Sequence, residues 1–555
     1  MSAATAAAPR PAPASGRQAR RGGHPLAGTY PLLRFALRRD RVRLPVWIGA
    51  LTLTTVGTLS SFTTQYPDAA DRRAAAGTMD SPAGLAMTGP GHYLDDYGHG
   101  AMMGHQMLGF VLVMVGLMSV LTVTRHTRTE EETGRAELVR AAAVGRHAQL
   151  TAALCAAALA NAALGLLLAV GLGASGAEGV TWGGSLLYGA AHTAVGLVFA
   201  AVAGITAQVS QFSRGASGMA LAAIGAAYAL RAAGDVGNAT LSWLSPIGWA
   251  QRTYVYVDDR WWPLLPALAL AAAATAVAYR LSTRRDVGAG LRATRPGRPA
   301  ASRALTHPLG FAVRLHRGTA TGFGAGLLLL GMMYGSILGD AADMVEDIPE
   351  LRDALREIGG ASVTESFAST VMIVLAVVAA VYVVMAALRP QSEETSGRAE
   401  PLLATGLSRT RWAGTHLAVA MAGGTALLAL SGLGFGAAGA AATGDGGLFL
   451  DLLLAPLAYA PALWVTVGVT AVLFGWLPRA TAAAWALPVY AFVVGYLGTV
   501  LGFPDWTGDL SPFGYVPRLP AEEMRWTPVV ALTALAAALV AFGLAGFRRR
   551  DLDTK

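Results

Sequence analysis

Residues 91–107, GHYLDDYGHGAMMGHQM, bring together side chains that could hold a metal ion. Imidazole and carboxylate groups suit zinc or copper, and a seven-residue spacing would place two of the histidines on one face of a helix. Four glycines interrupt the segment, however, and disfavour a rigid helix. We therefore predict a loop packed over the outer mouth of the protein and no metal, with a metal site as the alternative. The candidate ligands are His92, Asp95, Asp96, His99 and His105.

Hydrolysis of ATP by this chain is excluded by its lysine content. A P-loop reads G-x-x-x-x-G-K-[ST] and needs a lysine on the phosphates, but the single lysine of the sequence is Lys555. The single cysteine, Cys155, lies in an apolar stretch. A disulfide framework and a thiolate metal site are therefore excluded as well. The sequence predicts no enzyme and no cofactor bound by this chain.

Transport driven by an ion gradient would need ionisable side chains within the membrane, where charge is costly and persists only for function. The apolar stretches offer few such groups. His192 and the polar Asn161 are the best mid-span candidates, whereas Glu365 and Asp451 lie near the outer ends of their spans. Hydrogen bonds between helices account for His192 and Asn161 most simply. A place in a substrate cavity and a proton relay are the alternatives.

The elements that must position these side chains are transmembrane helices. Hydrophobic residues make up 54% of the chain and charged residues 14%, a balance typical of membrane proteins. A span needs roughly 20 apolar residues, and an all-α protein of twelve spans is predicted. The spans are 45–64, 105–124, 149–173, 182–208, 215–232, 262–281, 319–338, 366–388, 412–438, 448–476, 481–503 and 527–547.

The distribution of charge predicts the orientation of these spans. If alternate loops lie on opposite sides, 33 of the 42 lysines and arginines fall on one side, which the positive-inside rule assigns to the cytoplasm together with both termini. The net charge of +8 therefore reflects membrane topology and does not indicate nucleic-acid binding. Residues 1–28 are rich in Ala, Pro and Arg without an apolar core, and we predict a disordered cytoplasmic tail.

The chain contains an internal repeat. TEEETGRAELVRAAAVGR at 129–146 (the first repeated loop) and SEETSGRAEPLLATGLSR at 392–409 (the second repeated loop) are identical at eight of 18 positions. Other similar pairs follow in the same order. We predict two six-span halves, 29–282 and 305–555, joined by a cytoplasmic linker at 283–304. Because both halves start inside, the repeat is parallel.

Each repeated loop is predicted to form a short cytoplasmic helix. Glu131–Arg135 and Glu394–Arg398 have the i,i+4 spacing of favourable ion pairs. Gly134 would lie inside the first helix at a cost of roughly 1 kcal/mol relative to alanine, which suggests that something packs closely there. The second loop repeats the pattern. Two equivalent loops imply a partner with two equivalent surfaces.

The architecture and these loops resemble the permease subunits of type-2 ABC exporters. More closely, nearly the whole chain after residue 28 is similar to the fused, double-length permeases of actinobacterial polyketide-antibiotic exporters of the tetronasin type. The resemblance implies that each loop contacts an ATP-binding subunit, so that two ATPase copies carry the ATP and magnesium. The implied contacts are Glu130, Glu131, Gly134, Arg135 and Glu137 in the first loop, and Glu393, Glu394, Gly397, Arg398 and Glu400 in the second.

The resemblance also implies amphipathic elbow helices before the first span of each half, near 29–43 and 306–318. In the first elbow, Arg34, Arg38 and Arg41 fall on one helical face with leucines on another, a pattern that by itself suits an interfacial helix.

A second repeated motif, LSPIGW at 244–249 and LSPFGY at 510–515, lies in the outer loop before the last span of each half. Proline followed two residues later by glycine predicts a turn, and the aromatic residues suit the membrane interface. The resemblance implies an external hairpin over the exit path. The turn residues are Ser245, Pro246, Gly248, Ser511, Pro512 and Gly514.

Together these features predict the permease subunit of an ATP-driven exporter in a bacterial plasma membrane. By the resemblance, it would move hydrophobic or amphipathic, antibiotic-like molecules out of the cytoplasm or inner leaflet by alternating access. The partners are two ATPase subunits, the substrate and membrane lipid. A secondary drug transporter driven by an ion gradient is the alternative.

Overall fold

The computed structural model describes residues 24–552 except 238, 287, 293–298, 340–362, 496–503 and 505. The regular structure in this part of the chain is helical throughout, so the predicted all-α fold is confirmed. The chain divides into two compact units, Met1–Arg295 and Pro296–Lys555. Each unit has an apolar core of its own. Most of the predicted tail and part of the predicted linker lie outside the described residues.

The first unit pairs long apolar helices with short helices at their ends. A π-helical turn, Met103–Met107, joins α5 to α6. In chain order the helices are α1 (Thr29–Arg39), α2 (Arg43–Gln65), α3 (Ala69–Met79), α4 (Pro82–Met87), α5 (His99–Met102), α6 (Leu108–His126), α7 (Arg128–Glu132), α8 (Arg135–Arg140), α9 (Ala148–Gly173), α10 (Trp182–Val209), α11 (Ser213–Val236), α12 (Pro246–Gln251) and α13 (Leu264–Ser282).

The second unit repeats this order from its first long helix to its last. Two 3-10 segments, Ala455–Tyr459 and Pro478–Trp485, precede helices α20 and α21. The helices are α14 (Pro308–Ser336), α15 (Val363–Ala387), α16 (Arg389–Thr395), α17 (Ala399–Leu403), α18 (Arg409–Thr443), α19 (Leu448–Leu454), α20 (Ala460–Trp476), α21 (Ala486–Gly495), α22 (Trp506–Asp509) and α23 (Trp526–Arg549).

Ten helical segments of the described chain are long and apolar enough to cross a membrane. They correspond to ten of the twelve predicted spans, which supports a multi-pass membrane protein. The predicted span 319–338 falls within α14, a helix that also includes the predicted second elbow. The predicted span 481–503 begins with a 3-10 segment and α21, and its last part lies outside the described residues.

The two predicted elbows differ in structure. In the first unit, α1 ends at Arg39, and a turn at Asp40 separates it from α2. Arg34, Arg38 and Arg41 are exposed, as an interfacial role would require. The second elbow was expected as a separate helix and is not one, because α14 runs without a break from Pro308 into the following apolar segment. That the arginines lie along the inner membrane surface stays a prediction.

Close packing between the long helices depends on glycine. A Cβ atom added to Gly189 on α10 would collide with the backbone of Gly165 on α9. In the second unit, a Cβ on Gly331 of α14 would collide with the carbonyl oxygen of Ser431 on α18. Small residues let helices approach this closely within a membrane, where packing and hydrogen bonds rather than the hydrophobic effect hold helices together.

Candidate functional site

Each repeated loop consists of two short helices separated by a glycine turn. In the first loop α7 and α8 flank Gly134, which has a φ angle of 74°. In the second, α16 and α17 flank Gly397 at 70°. The prediction that these glycines lie inside a helix is therefore wrong. Both occupy the left-handed conformation that commonly terminates helices and that glycine adopts at little cost.

A buried ion pair anchors the first loop. The guanidinium group of Arg285, just beyond the end of α13, donates to both carboxylate oxygens of Glu131 at 2.6 and 2.8 Å. Arg128, the residue before the loop, donates to this carboxylate as well, at 2.8 Å. Only 3% of the Glu131 side-chain surface is exposed. The loop is thereby fixed to the C-terminal end of the last long helix of its unit.

The second loop is anchored in the same way. Arg550, just beyond the end of α23, donates to both carboxylate oxygens of Glu394 at 2.7 and 2.6 Å. Only 2% of the Glu394 side-chain surface is exposed. Bidentate arginine–carboxylate pairs combine charge with fixed geometry. Each unit therefore has the same kind of rigid connection between its loop and its last long helix. We call these two pairs, Glu131–Arg285 and Glu394–Arg550, the loop anchors.

A second connection joins each loop to the start of the fifth long segment of its unit. Glu132 accepts the backbone N–H of Ser213, the first residue of α11, at 3.0 Å. In the second unit, the side chain of Gln391, the residue before the loop, donates to the carbonyl oxygen of Pro478 at 3.0 Å. The residues differ, but both contacts tie the loop to the same place in the fold.

The remaining glutamates of the two loops have different partners. Glu130 pairs with Arg39 at the end of α1. Its counterpart Glu393 instead pairs within its own loop region, with Arg389 and Arg398, each at 2.8 Å. The expected pairs Glu131–Arg135 and Glu394–Arg398 do not form, since the buried arginines near the unit ends take these carboxylates.

One face of each loop remains exposed. In the first loop it carries Arg135, Glu137 and Leu138, and 78% of the Leu138 surface is accessible. In the second it carries Arg398 and Glu400. Beside the first loop, burial and then the neighbouring Arg146 charge lower the pKa of His147, which keeps this ring neutral at physiological pH. The exposed face is where a soluble partner could bind.

The site residues predicted as partner contacts therefore fall into two groups. Gly134, Arg135, Glu137, Gly397, Arg398 and Glu400 lie at or near the surface, whereas Glu130, Glu131, Glu393 and Glu394 are largely or fully buried within their own units. The structure gives the buried glutamates a positioning role. Direct contact with a partner stays a prediction for the surface group.

Sequence reasoning missed Arg285 and Arg550, the partners in the two loop anchors. Each lies more than 150 residues from its glutamate, so no local pattern connects them. One signal was available: Arg285 and Arg550 are separated by nearly the same interval as Glu131 and Glu394. Because the glutamates and the arginines recur at nearly the same interval, each half could make the same contact between its glutamate and its arginine.

The outer motif LSPIGW begins a short helix. Ser245 caps α12 by accepting the N–H groups of Ile247 and Gly248 at 3.2 and 3.3 Å, and Pro246 is its first residue. In LSPFGY, Ser511 accepts the N–H of Phe513 at 3.3 Å. Both motif glycines pack against backbone: a Cβ on Gly248 or Gly514 would collide with the carbonyl oxygen six residues earlier. The exit-path role of these residues stays a prediction.

The outer histidines are engaged in hydrogen bonds. His92 lies 2.9 Å from a carboxylate oxygen of Asp258, and His99 contacts the carbonyl oxygen of Tyr66 at 3.0 Å. His105 is buried, with the hydroxyl of Tyr97 at 2.9 Å and that of Thr88 at 3.0 Å. Among the described residues, no group of three or more His, Cys, Asp or Glu side chains is arranged to hold a metal ion.

We expect the purified chain to bind no zinc stoichiometrically at this segment, because each of its three histidines is held by a hydrogen bond and the described side chains form no group of metal ligands. Equilibrium dialysis with micromolar zinc checks this expectation. Zinc retained by the native chain and lost in the His92→Ala/His99→Ala double variant would contradict it. His24→Ala, which changes an exposed histidine outside the segment, is the matched control.

His192 and Asn161 are fully buried in the first unit. Asn161 on α9 exchanges hydrogen bonds with Ser119 on α6 at 2.9 and 3.2 Å. The Nδ1 of His192 lies 2.7 Å from the carbonyl oxygen of Tyr188, one turn earlier on α10. Both therefore take part in hydrogen bonds within or between helices, and a role in a substrate cavity stays a prediction.

Comparison with known proteins gives two matches. The profile of the family described as "Multidrug efflux system permease Rv1217c, C-terminal domain" matches residues 32–280 and 305–548, so that each matched segment falls within one compact unit. The "Multidrug efflux system permease protein Rv1217c" of Mycobacterium tuberculosis is 41% identical over 543 residues, which cover 97% of this chain and 98% of that protein.

Proposed function

This chain belongs to the family of Rv1217c-type multidrug efflux system permeases, and from that premise we propose that it is the membrane subunit of an ATP-driven drug exporter. Its cargo would be hydrophobic or amphipathic small molecules, taken from the cytoplasm or the inner leaflet. The ATP and magnesium would be bound by two copies of a separate ABC ATPase subunit, one on each repeated loop.

The observation that carries the proposal is the pair of loop anchors. Two loops, one in each unit, are fixed by buried bidentate ion pairs to the ends of α13 and α23. Each loop region also contacts the start of the fifth long segment of its unit and leaves one face exposed. A soluble subunit that moves such a loop would move both segments with it, because the buried ion pair resists separation.

The chain itself supplies no nucleotide site, since it lacks a P-loop lysine. The free energy that drives transport would therefore be supplied by ATP hydrolysis on a separate subunit. In the mechanism that we propose, closure of the ATPase pair pushes the exposed faces of both loops. The loop anchors transmit this displacement to the last long helix of each unit, and the transport path alternates between inward and outward access.

The exposed faces should carry the affinity for the ATPase. Combining Leu138→Asp with Arg398→Glu is expected to reduce the amount of ATPase that co-purifies with the tagged chain by about tenfold or more, because a few exposed anchors commonly dominate an interface. In the native complex, a soluble protein with Walker motifs is expected at two copies per chain. Gentle solubilisation, affinity purification and mass spectrometry measure both quantities.

Arg73→Glu is the matched control, because Arg73 is exposed in the outer part of the first unit, and this change should leave co-purification as in the native chain. If no protein with Walker motifs is recovered from the native host, and vesicles that contain only this chain move a dye in response to a proton gradient, the ATP-driven proposal is wrong.

A further inference from the structure

The second unit contains a cavity of about 720 Å³ at its outer end. This volume lies within the range of about 300–1,000 Å³ that is typical of sites for drug-sized ligands. Residues of α15, α19, α20 and α23 and of the segment before α23 line the cavity. By the positive-inside distribution, it opens on the external side of the membrane.

The depth of the cavity follows from α23. Trp526, Val529 and Thr533 all line it, and a rise of 1.5 Å per residue places Thr533 roughly 10 Å deeper than Trp526. Pro461 and Trp464 line the cavity near the start of α20. The cavity therefore extends from the outer end of the helices into the apolar part of the unit.

The cavity wall combines apolar side chains with two acidic ones. Most lining groups are aliphatic or aromatic, but Glu365 at the start of α15 and Asp451 on α19 add two carboxylates. Trp464 and Trp526 add two indole rings, and the Trp464 indole N–H donates to Thr425 at 3.2 Å, which fixes the ring. Carboxylates and aromatic faces both attract cations, while the aliphatic wall favours apolar groups.

The first unit offers a contrast. Two of its cavities are of comparable size, about 550 and 610 Å³, and lie against α9, α10 and α13. The described residues that line these two cavities include no charged side chain. Among these drug-sized cavities, the combination of apolar wall and carboxylates is thus a property of the one in the second unit, although the two units share their helix order and their loop anchors.

We propose that the outer cavity of the second unit is a binding site for drug-sized lipophilic cations, with Glu365 and Asp451 as its charge-recognition residues. The aliphatic and indole groups bind the apolar body of the ligand, and the two carboxylates neutralise its charge. The role of this site in releasing exported molecules rests on the proposed export function. Ligand binding at the site does not, because binding requires no ATPase.

Binding to the purified full-length chain in nanodiscs tests the proposal. The probes are the cation tetraphenylphosphonium, the neutral triphenylphosphine oxide and the anion tetraphenylborate, which share an arylated apolar body. We expect the cation to bind most tightly. The Glu365→Gln/Asp451→Asn double variant should weaken cation binding by about tenfold, with roughly threefold to fivefold for each partly exposed carboxylate, and leave binding of the neutral probe unchanged.

Val529→Trp fills the cavity without changing its charge, so it should weaken binding of the cation and the neutral probe alike. Glu523→Gln removes an exposed carboxylate that does not line the cavity and should leave both affinities intact. Gel filtration of each variant shows whether it is folded, and the unchanged neutral affinity of the double variant is a second indicator of correct folding.

Equal losses of cation and neutral binding in the double variant would overturn the charge-recognition role. Unchanged cation binding in both the double and the Val529→Trp variants would overturn the site itself. If the cation binds as expected but the complete system transports neither cation nor neutral drug, the site stands and the proposed export function fails, so that the two failures are distinguishable.

Discussion

Charge reversal of both anchor glutamates, Glu131→Arg with Glu394→Arg, is expected to abolish drug transport while the chain still inserts into the membrane. Each new arginine would face Arg285 or Arg550 at a site with almost no exposed surface. Removal of one partner from a buried ion pair already costs about 3–5 kcal/mol, and reversal adds repulsion. Efflux from whole cells, with surface expression measured in parallel, gives the result.

The partner arginines provide a reciprocal test with matched controls. Arg285→Gln and Arg550→Gln should each impair transport severely. Arg284→Gln and Arg549→Gln change the adjacent arginines, which are exposed, and should have little effect. Equal effects of the anchor and control substitutions, or native transport in the double glutamate reversal, would contradict the transmitting role of the loop anchors.

Exchange of the two charges within the first loop anchor should restore little function. Glu131 also accepts from Arg128 at 2.8 Å, so Glu131→Arg with Arg285→Glu leaves the new arginine against a second cation. We therefore expect little recovery of transport for this swap.

Alanine at Gly331 on α14 is expected to destabilise the second unit by about 1–3 kcal/mol, the usual cost of overpacking. The added methyl group would collide with the backbone of Ser431 on α18, and backbone cannot move aside as a flexible side chain can. Thermal unfolding of the purified chain in detergent, followed by fluorescence-detected gel filtration, measures the effect.

The same helix supplies the control. A Cβ atom on Gly322 or Gly326 would have no neighbour within 4 Å, so alanine there should be neutral or stabilising, because alanine favours a helix over glycine by about 1 kcal/mol. A midpoint for Gly331→Ala equal to or above that of Gly322→Ala would show that α14 and α18 do not pack as closely as described.

The location of the candidate site could be predicted from sequence, but its internal geometry could not. Eight identities in 18 positions single out the two loops without any structure. Within the loops, however, rules based on local spacing predict the wrong partner. The i,i+4 rule pairs Glu131 with Arg135, whereas in the structure Glu131 pairs with Arg285. Buried bidentate pairing outweighs a solvated pair that contributes about 0.3–0.5 kcal/mol.

The glycines of the loops show the same limit. Sequence shows that Gly134 and Gly397 recur, but it cannot distinguish a glycine that permits close packing from one that permits a positive φ angle. Along α14 the sequence also cannot show which glycines are packed against another helix. Gly322 and Gly331 both lie among small and apolar residues, but of these two only Gly331 contacts α18.

What the sequence by itself determined is the all-α, multi-pass membrane class and its efflux-permease family character. Both are encoded locally, because an apolar run of roughly 20 residues spans a membrane whatever its neighbours are, and because the repeated motifs are visible in the sequence itself. The tertiary structure alone decided which charges pair, which glycines are packed and where Glu365 and Asp451 meet an apolar cavity. These features join residues far apart in the chain, and their energies depend on burial, which exists only once the helices have packed.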